Sequence, residues 1–199
     1  MSTESPSVAT FIAEQVVSRF DQAVKDAQRR LEVAQREVND LTGAQGTAHW
    51  EIDGLGSWYL NIAGGNMTVT DSPAEPPFIT FAQSKADFDR LASGAVPQGV
   101  VGGNDRRGMG QSRIQRLKAI KGAVRFIVTG LPDGDFTTTL YLGSGPRPEA
   151  PQTTIRVPAD IAAKLQNGEL NPQMAFMQGQ IKLEGDVGLA MQLGMAMAM

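Results

Sequence analysis

The side chains that could carry chemistry are few in this sequence, and they lie far apart. His49 is the single histidine, and it precedes Glu51 and Asp53 in the segment HWEID. A histidine can serve as general base for a nucleophile, but no nucleophile-elbow sequence accompanies His49. Glu51 and Asp53 are two residues apart and would share one face of a strand, where carboxylates are usually exposed. We therefore expect His49 to be structural, and we assign no catalytic residue.

Basic residues are concentrated between 106 and 125 of a chain whose formal charge is −3. Such a cluster could hold a phosphate of coenzyme A or of a phospholipid, or draw the protein transiently to an anionic membrane surface. Nearby glycines would let backbone amides approach a phosphate. The alternative is a solvated helix face with a flexible linker. The residues that we predict for an anionic head group are Arg106, Arg107, Arg113, Arg116 and Lys118.

The amino-acid composition limits which kinds of binding site and partner this protein can have. A chain of 199 residues with 41% hydrophobic content is long enough for one large core or two small ones. The absence of cysteine excludes disulfides and thiolate metal sites, and a single histidine excludes a histidine-rich metal cluster. The net acidic charge gives no reason to expect nucleic acid as a partner. We expect a soluble, cytoplasmic protein with no metal and no cofactor.

The elements that would position these side chains begin with a long helix over residues 8–41. Its apolar residues alternate between steps of three and four, which is a heptad pattern. Such a narrow stripe can be buried across the protein's own sheet, or against the same helix of a second subunit in a homodimer. The residues of the stripe are Val17, Phe20, Val24, Ala27, Leu31, Ala34, Val38 and Leu41.

The chain then changes to strands, and one order of elements recurs. Runs rich in aromatic and β-branched residues at 49–53, 57–62, 66–70 and 77–82 predict strands, and a short helix follows at 86–93. After a glycine-rich connector, a basic helix at 112–120 precedes strands at 123–130, 135–143 and 153–157 and a helix at 159–168. Phe88, Leu91 and Gly94 correspond to Ala162, Leu165 and Gly168 at a constant offset, which suggests an internal duplication.

The segment 171–193, NPQMAFMQGQIKLEGDVGLAMQL, combines a short helix, a strand and an apolar helical tail. In the strand, Ile181 and Leu183 would face one side, and Gln180, Lys182 and Glu184 the other. Together with RLKAIKGAVRFIVTG and IAAKLQNGEL, this segment resembles the sterol carrier protein family, most clearly over residues 112–193. Residues 8–94 resemble the opening part of the same pattern without its closing segment.

The resemblance implies an α+β fold, with a mostly antiparallel curved sheet, helices on one face and a preceding long N-terminal helix packed across it. We divide the chain into the helix at 1–46, a β-rich partial half at 47–100, a connector at 101–111 and a lipid-binding domain at 112–199. The resemblance also implies an apolar tunnel for a fatty acid, a fatty acyl thioester or a sterol-like lipid. The tunnel residues would be Phe126, Phe136, Leu140, Ile155, Ile161, Leu165, Met174, Phe176, Met177, Gln178, Ile181, Leu183, Leu189 and Met191.

Three functions compete on this basis. The leading hypothesis is an intracellular lipid carrier or transfer protein, with the lipid as its partner. An enzyme that reuses the tunnel for an apolar substrate would need an acid or base of displaced pKa inside it, and Glu51, Asp53 and Gln178 are the residues to check. An assembly module with a collapsed tunnel would instead show a filled core and a strong dimer.

Overall fold

The computed structural model describes residues 17–97 and 108–198 of the chain. The chain divides into two compact units, Met1–Asp40 and Leu41–Met199. Arg106 and Arg107, and most of the connector, lie outside the described residues.

Helix α1 runs from Ser18 to Thr42, and the part of the predicted helix before residue 17 lies outside the description. No described residue of α1 is buried. The heptad stripe is exposed, with Phe20 at 68% and Leu31 at 70% of their maximal accessibility. Both predicted ways of burying this stripe, across the protein's own sheet or in a homodimer, remain predictions.

The second unit contains a mixed sheet of eight strands in the order β3-β2-β1-β4-β6-β5-β7-β8. Five described pairings are antiparallel, whereas β1 with β4 and β5 with β7 are parallel. The strands are β1 Gly46–Ile52, β2 Gly56–Ala63, β3 Asn66–Thr70, β4 Ile79–Gln83, β5 Gly122–Thr129, β6 Phe136–Leu142, β7 Thr153–Pro158 and β8 Lys182–Gly185. The helices are α2 Lys85–Ala92, α3 Gln111–Ala119, α4 Ala159–Gln166, α5 Pro172–Met177 and α6 Val187–Ala198. This confirms the predicted α+β class and its mostly antiparallel sheet.

The two halves of the sheet repeat each other in register. Each half has an antiparallel hairpin, β1-β2 or β5-β6, whose first strand pairs in parallel with the strand that precedes a short helix. Ala48 pairs with Ile79 in the first half, and Val124 pairs with Thr153 at the equivalent position of the second. Helices α2 and α4 both have eight residues. The helix ends match too, because Gly94 and Gly168 have φ values of 77° and 71°. The pairing pattern thus repeats, and the sequence offset relates Ile79 to Thr153, whereas Ala48 and Val124 are two residues further apart than that offset.

The hydrophobic core forms two clusters on one face of this sheet. In the first, Ile114 of α3 and Leu193 of α6 pack with strand residues such as Val124. In the second, Leu91 of α2, Ile161 of α4 and Ala175 of α5 pack with strand residues such as Val128. Val124 and Val128 are four residues apart on β5, so both clusters lie on the same face. Two groups of helices therefore cover opposite ends of the strands.

Two loops pack against part of the other face of the sheet. The loop before β4 is held by Thr47 and Asn61, because the amide of Glu75 donates to Thr47 Oγ1 and that of Ala74 to Asn61 Oδ1. The loop after β6 is held by Arg147, whose guanidinium donates to Glu51. Across the described residues, no helix combines the length and the hydrophobicity needed to cross a bilayer.

Candidate functional site

A row of apolar side chains crosses the centre of the sheet between the two groups of helices. Phe81, Phe126 and Ile155 lie in the middle of β4, β5 and β7, which are interior strands, yet each is only partly buried. Side chains at the centre of a covered sheet are normally its most buried. Their partial exposure means that the helices do not close over them. We refer to these partly exposed apolar positions as the floor of a groove across the sheet.

Strand pairing aligns the residues of this floor. Trp50 lies opposite Phe81 across β1 and β4, and Phe126 lies opposite Ile155 across β5 and β7. The two pairs occupy equivalent positions of the repeat, because Phe81 and Ile155 are separated by the same offset that relates Gly94 to Gly168. Leu140 of β6 lies beside Phe81 and joins the two halves. The floor is therefore built from both halves of the sheet.

The residues predicted to line a tunnel fall into three environments. Of these residues, Phe136, Leu140, Ile161 and Leu189 are buried in the core clusters. Partly buried positions are occupied by Phe126, Ile155, Leu165, Ile181 and Leu183. The exposed residues of the set are Met174, Phe176, Met177, Gln178 and Met191.

The residues from the first half of the floor were not predicted from the sequence. Trp50, Leu60 and Phe81 lie outside the segment with the family-like spacing, and the sequence pattern predicts only that they belong to strands. The internal offset contained the missing signal, because it aligns Phe81 with Ile155, a residue that was predicted. Applying the offset to the predicted site residue Ile155 identifies Phe81 as a further candidate.

Two polar side chains stand on the groove face without a hydrogen-bond partner among the described residues. Gln83 is 5% exposed, and neither its amide oxygen nor its amide nitrogen is paired. The indole nitrogen of Trp50 is likewise buried and unpaired. Gln83 follows Phe81 by two residues on β4, so both side chains point to the same face. Buried polar atoms of this kind are costly unless a water molecule or a ligand satisfies them.

The closing segment presents apolar side chains to solvent. On α5, Phe176 and Met177 are 45% and 79% exposed. On α6, the exposed residues Val187, Met191 and Met195 are spaced four apart and form one stripe. This helix has no charged residue over its whole length. The exposed faces of α5 and α6 are therefore each uncharged and rich in methionine.

The predicted head-group cations that the structure describes have internal contacts. Arg113 is 4% exposed and donates to the carbonyl oxygens of Gly108 and Met197 at 2.7 and 3.1 Å. Lys118 Nζ lies 2.7 Å from Glu75 Oε1. Arg116 is partly buried and also has an interaction partner. Arg113 thus ties the start of α3 to the end of α6, which is a structural role.

Among the candidate acid–base residues, His49 and Glu51 lie on the opposite face of the sheet from the groove. His49 stacks on Tyr59 with ring centroids 4.2 Å apart, and its Nδ1 is 3.2 Å from Glu51 Oε1. Hydrogen bonding to Arg147 lowers the pKa of Glu51. Burial lowers the pKa of His49, against the opposing effect of Glu51. Asp53 lies in the exposed turn after β1. The two carboxylates do not share a strand face, because β1 ends at Ile52.

A separate depression of about 380 Å³ lies at the turns after α2 and α4. No residue of the groove floor lines it. Its lining consists of Gly94, Ala95, Val96, Pro97, Ala163, Gln166 and Asn167.

Comparison with known proteins gives one family and several partial relatives. Residues 107–198 match the SCP-2 sterol transfer family. The chain is similar to "Hydroxysteroid dehydrogenase-like protein 2" of Danio rerio, with 30% identity over 131 residues, which is 63% of this chain and 29% of that protein. The curated relatives that it matches are longer, and the chain spans less than a third of their length.

Two solved structures are also similar to part of the chain. The palmitated SCP2L2 of Aedes aegypti matches 45% of this chain and 94% of its own, at 21% identity and a TM-score of 0.34. The sterol carrier protein domain 2 of Helicoverpa armigera matches 40% of this chain and 68% of its own, at 30% identity and a TM-score of 0.31. The predicted resemblance to the sterol carrier protein family, clearest over 112–193, is thus confirmed by the family match, which covers residues 107–198.

Proposed function

We propose that this protein binds the apolar part of a lipid in the groove across its sheet and acts as a lipid carrier or transfer protein. The observation that carries the proposal is the partial exposure of Phe81, Phe126 and Ile155 at the centre of the sheet. The match of residues 107–198 to the SCP-2 sterol transfer family supports it. The ligand classes that we propose are fatty acids, fatty acyl thioesters and sterol-like lipids.

The dimensions of the floor fit a long hydrocarbon. The row from Trp50 on β1 to Leu183 on β8 crosses five strand spacings, which is about 24 Å at roughly 4.8 Å each. Each methylene that a ligand buries contributes about 0.8 kcal/mol. In such a groove, affinity depends on the length and the hydrophobicity of the ligand. Different hydrocarbon chains can bind because few polar groups restrict the shape of the ligand.

Gln83 is the residue that we propose for contact with the polar end of the ligand. Its amide offers both a donor and an acceptor, and the indole N–H of Trp50 offers a second donor on the same face. A carboxyl or hydroxyl group of the ligand would satisfy these atoms. The equivalent position of the second half is Val157, which is apolar. Of these two equivalent positions, the one in the first half therefore carries the polar side chain.

We propose that the uncharged exposed faces of α5 and α6 contact a membrane during lipid exchange. Exposed Phe176 and Met177 can enter the interfacial region of a bilayer, and their burial there is favourable. Methionine side chains adapt to irregular apolar surroundings. The helices that border the groove would then also meet the source of the ligand.

The structure provides no support for catalysis through the carboxylates that we singled out. A base in the groove would have a raised pKa, whereas the pKa of Glu51 is lowered and its side chain lies on the opposite face of the sheet. We therefore retain the carrier hypothesis over the enzyme hypothesis.

A binding experiment tests the groove directly. The chain has two tryptophans, and Trp50 and Trp58 are paired on the groove face, so their emission reports occupancy. Titration with a fluorescent fatty acid should give energy transfer from tryptophan and saturable binding. Solvent extraction and mass spectrometry of the purified protein should identify the class of any bound lipid.

Matched variants locate the binding site. Phe81→Ala and Ile155→Ala remove apolar contact at the two equivalent floor positions, and each should weaken binding by roughly tenfold. Met67→Ala is the control, because Met67 lies on the same sheet face but on the exposed edge strand β3. Equal affinity of all three variants, each shown to be folded by circular dichroism, would overturn the groove assignment.

A further inference from the structure

Helix α1 carries an exposed apolar stripe, and the binding partner that best complements this stripe is the same helix of a second copy of the chain. The stripe follows the heptad pattern, with Val24, Leu31 and Val38 at the a positions and Ala27 and Ala34 at the d positions. In the described helix these a residues are 40%, 70% and 51% exposed. A row of large apolar side chains in this state favours burial in an interface.

We propose that α1 pairs with α1 of a second copy in an antiparallel orientation. In the register that places Leu31 opposite the partner's Ala34, Ala27 also falls opposite the partner's Val38. By the two-fold symmetry each of these layers occurs twice, and each combines a large with a small side chain. A parallel pair would instead place Leu31 against Leu31 and Ala27 against Ala27, so that crowded layers would alternate with gaps. Interiors pack at uniform density, so the antiparallel pair is favoured.

The charges next to the stripe support the same orientation. Within the described helix, Asp26 pairs with Arg29 and Glu32 with Arg36, and these residues lie away from the stripe. Arg30 occupies a g position beside the stripe, and Glu37 occupies the next one. In an antiparallel pair, g positions face g positions, so Arg30 lies beside the partner's Glu37 at two symmetric sites. In a parallel pair, Arg30 would face the uncharged Gln35.

The oligomeric state of the full-length chain is the first test. Sedimentation velocity across a concentration series should show a reversible dimer. Leu31→Lys places a charge in the stripe and should weaken the dimer by more than a hundredfold. Val33→Lys is the matched control, because Val33 is 55% exposed on the same helix but outside the stripe, and this variant should dimerise normally. A monomeric wild-type protein, or equal effects of the two variants, would overturn the proposal.

The orientation has an independent test. Arg30→Glu and Glu37→Arg should each weaken the dimer by about tenfold, and the double variant should recover it, because the reversed pairs attract again. The chain lacks cysteine, so introduced thiols report contacts without background. The Ala27→Cys/Val38→Cys variant should form a covalent dimer on oxidation, and Ala27→Cys alone should not. Rapid cross-linking of Ala27→Cys alone would show a parallel pair and overturn the orientation.

Discussion

The replacement of Gly185 by alanine offers the sharpest test of how the closing segment is held on the sheet. Gly185 ends β8, opposite Thr153 of β7, with a φ of 90°. A Cβ there would stand 2.1 Å from the carbonyl oxygen of Gln152, which belongs to the backbone and cannot rotate away. Gly179 has a similar φ of 69°, but a Cβ there would meet no atom within 4 Å. Comparing alanine substitutions at Gly179 and Gly185 therefore separates the cost of backbone strain from the cost of steric overlap.

The expected magnitudes follow from this difference. Gly179→Ala should lower the free energy of unfolding by about 1 kcal/mol, the usual cost of a side chain in the left-handed region. Gly185→Ala carries that cost and must also displace β8 from β7, so its loss should exceed about 3 kcal/mol. For a chain of this size, these losses correspond to falls in Tm of roughly 2–4 °C and more than about 6 °C.

Urea unfolding followed by circular dichroism would measure both variants beside the wild type. A larger loss for Gly185→Ala, with an unchanged denaturant slope, is the result that the geometry requires. Equal losses for the two variants would refute the reasoning, because they would mean that the β7-β8 pairing accommodates a Cβ without cost.

Three further predictions concern other parts of the molecule. The lowered pKa of His49 favours the neutral ring in the fold, so stability should be complete above about pH 6.5 and decline as the pH falls below it. His49→Phe retains a ring to stack on Tyr59, and urea midpoints at pH 7.5 and 5 should show a smaller decline than in the wild type. Asn171 caps α5 by accepting from the amide of Gln173 at 2.8 Å, so Asn171→Ala should cost about 1 kcal/mol in unfolding free energy, whereas a loss below about 0.3 kcal/mol would contradict the cap. A double-mutant cycle on Lys118 and Glu75 should give a coupling of roughly 0.5–1 kcal/mol that decreases with added salt, and an unchanged value in high salt would contradict an ionic origin.

The alternation of apolar residues gave most elements their correct positions. The strand expected between Gly179 and Gly185 forms at Lys182–Gly185, and Ile181 and Leu183 are partly buried while Lys182 and Glu184 are exposed. Gly94 and Gly168 also mark the ends of α2 and α4 at equivalent positions of the two halves. These features depend on nearest neighbours in the chain, which is why the sequence suffices to predict them.

The assignment of site residues was less complete, because burial depends on partners far away in the chain. Met174, Met177 and Met191 follow the family's spacing, but the structure exposes them on the outer surfaces of α5 and α6. Arg113 is predicted from the sequence to bind an anionic head group, yet its guanidinium is buried and donates to two carbonyl oxygens, one of them 84 residues away. A basic residue in a helix pattern carries no local sign of such a contact.

By itself, the sequence determined the order and type of the elements, the resemblance of the second half to the sterol carrier protein family, the repeat offset and the heptad pattern of α1. Only the tertiary structure decided that both halves join one sheet through β4 and β6, and that Phe81 and Ile155 contribute to one floor. It also decided that Glu51 lies on the face opposite the groove. The physical reason is that a strand's own pattern fixes which residues share a face, whereas the pairing of strands distant in sequence fixes what each face meets.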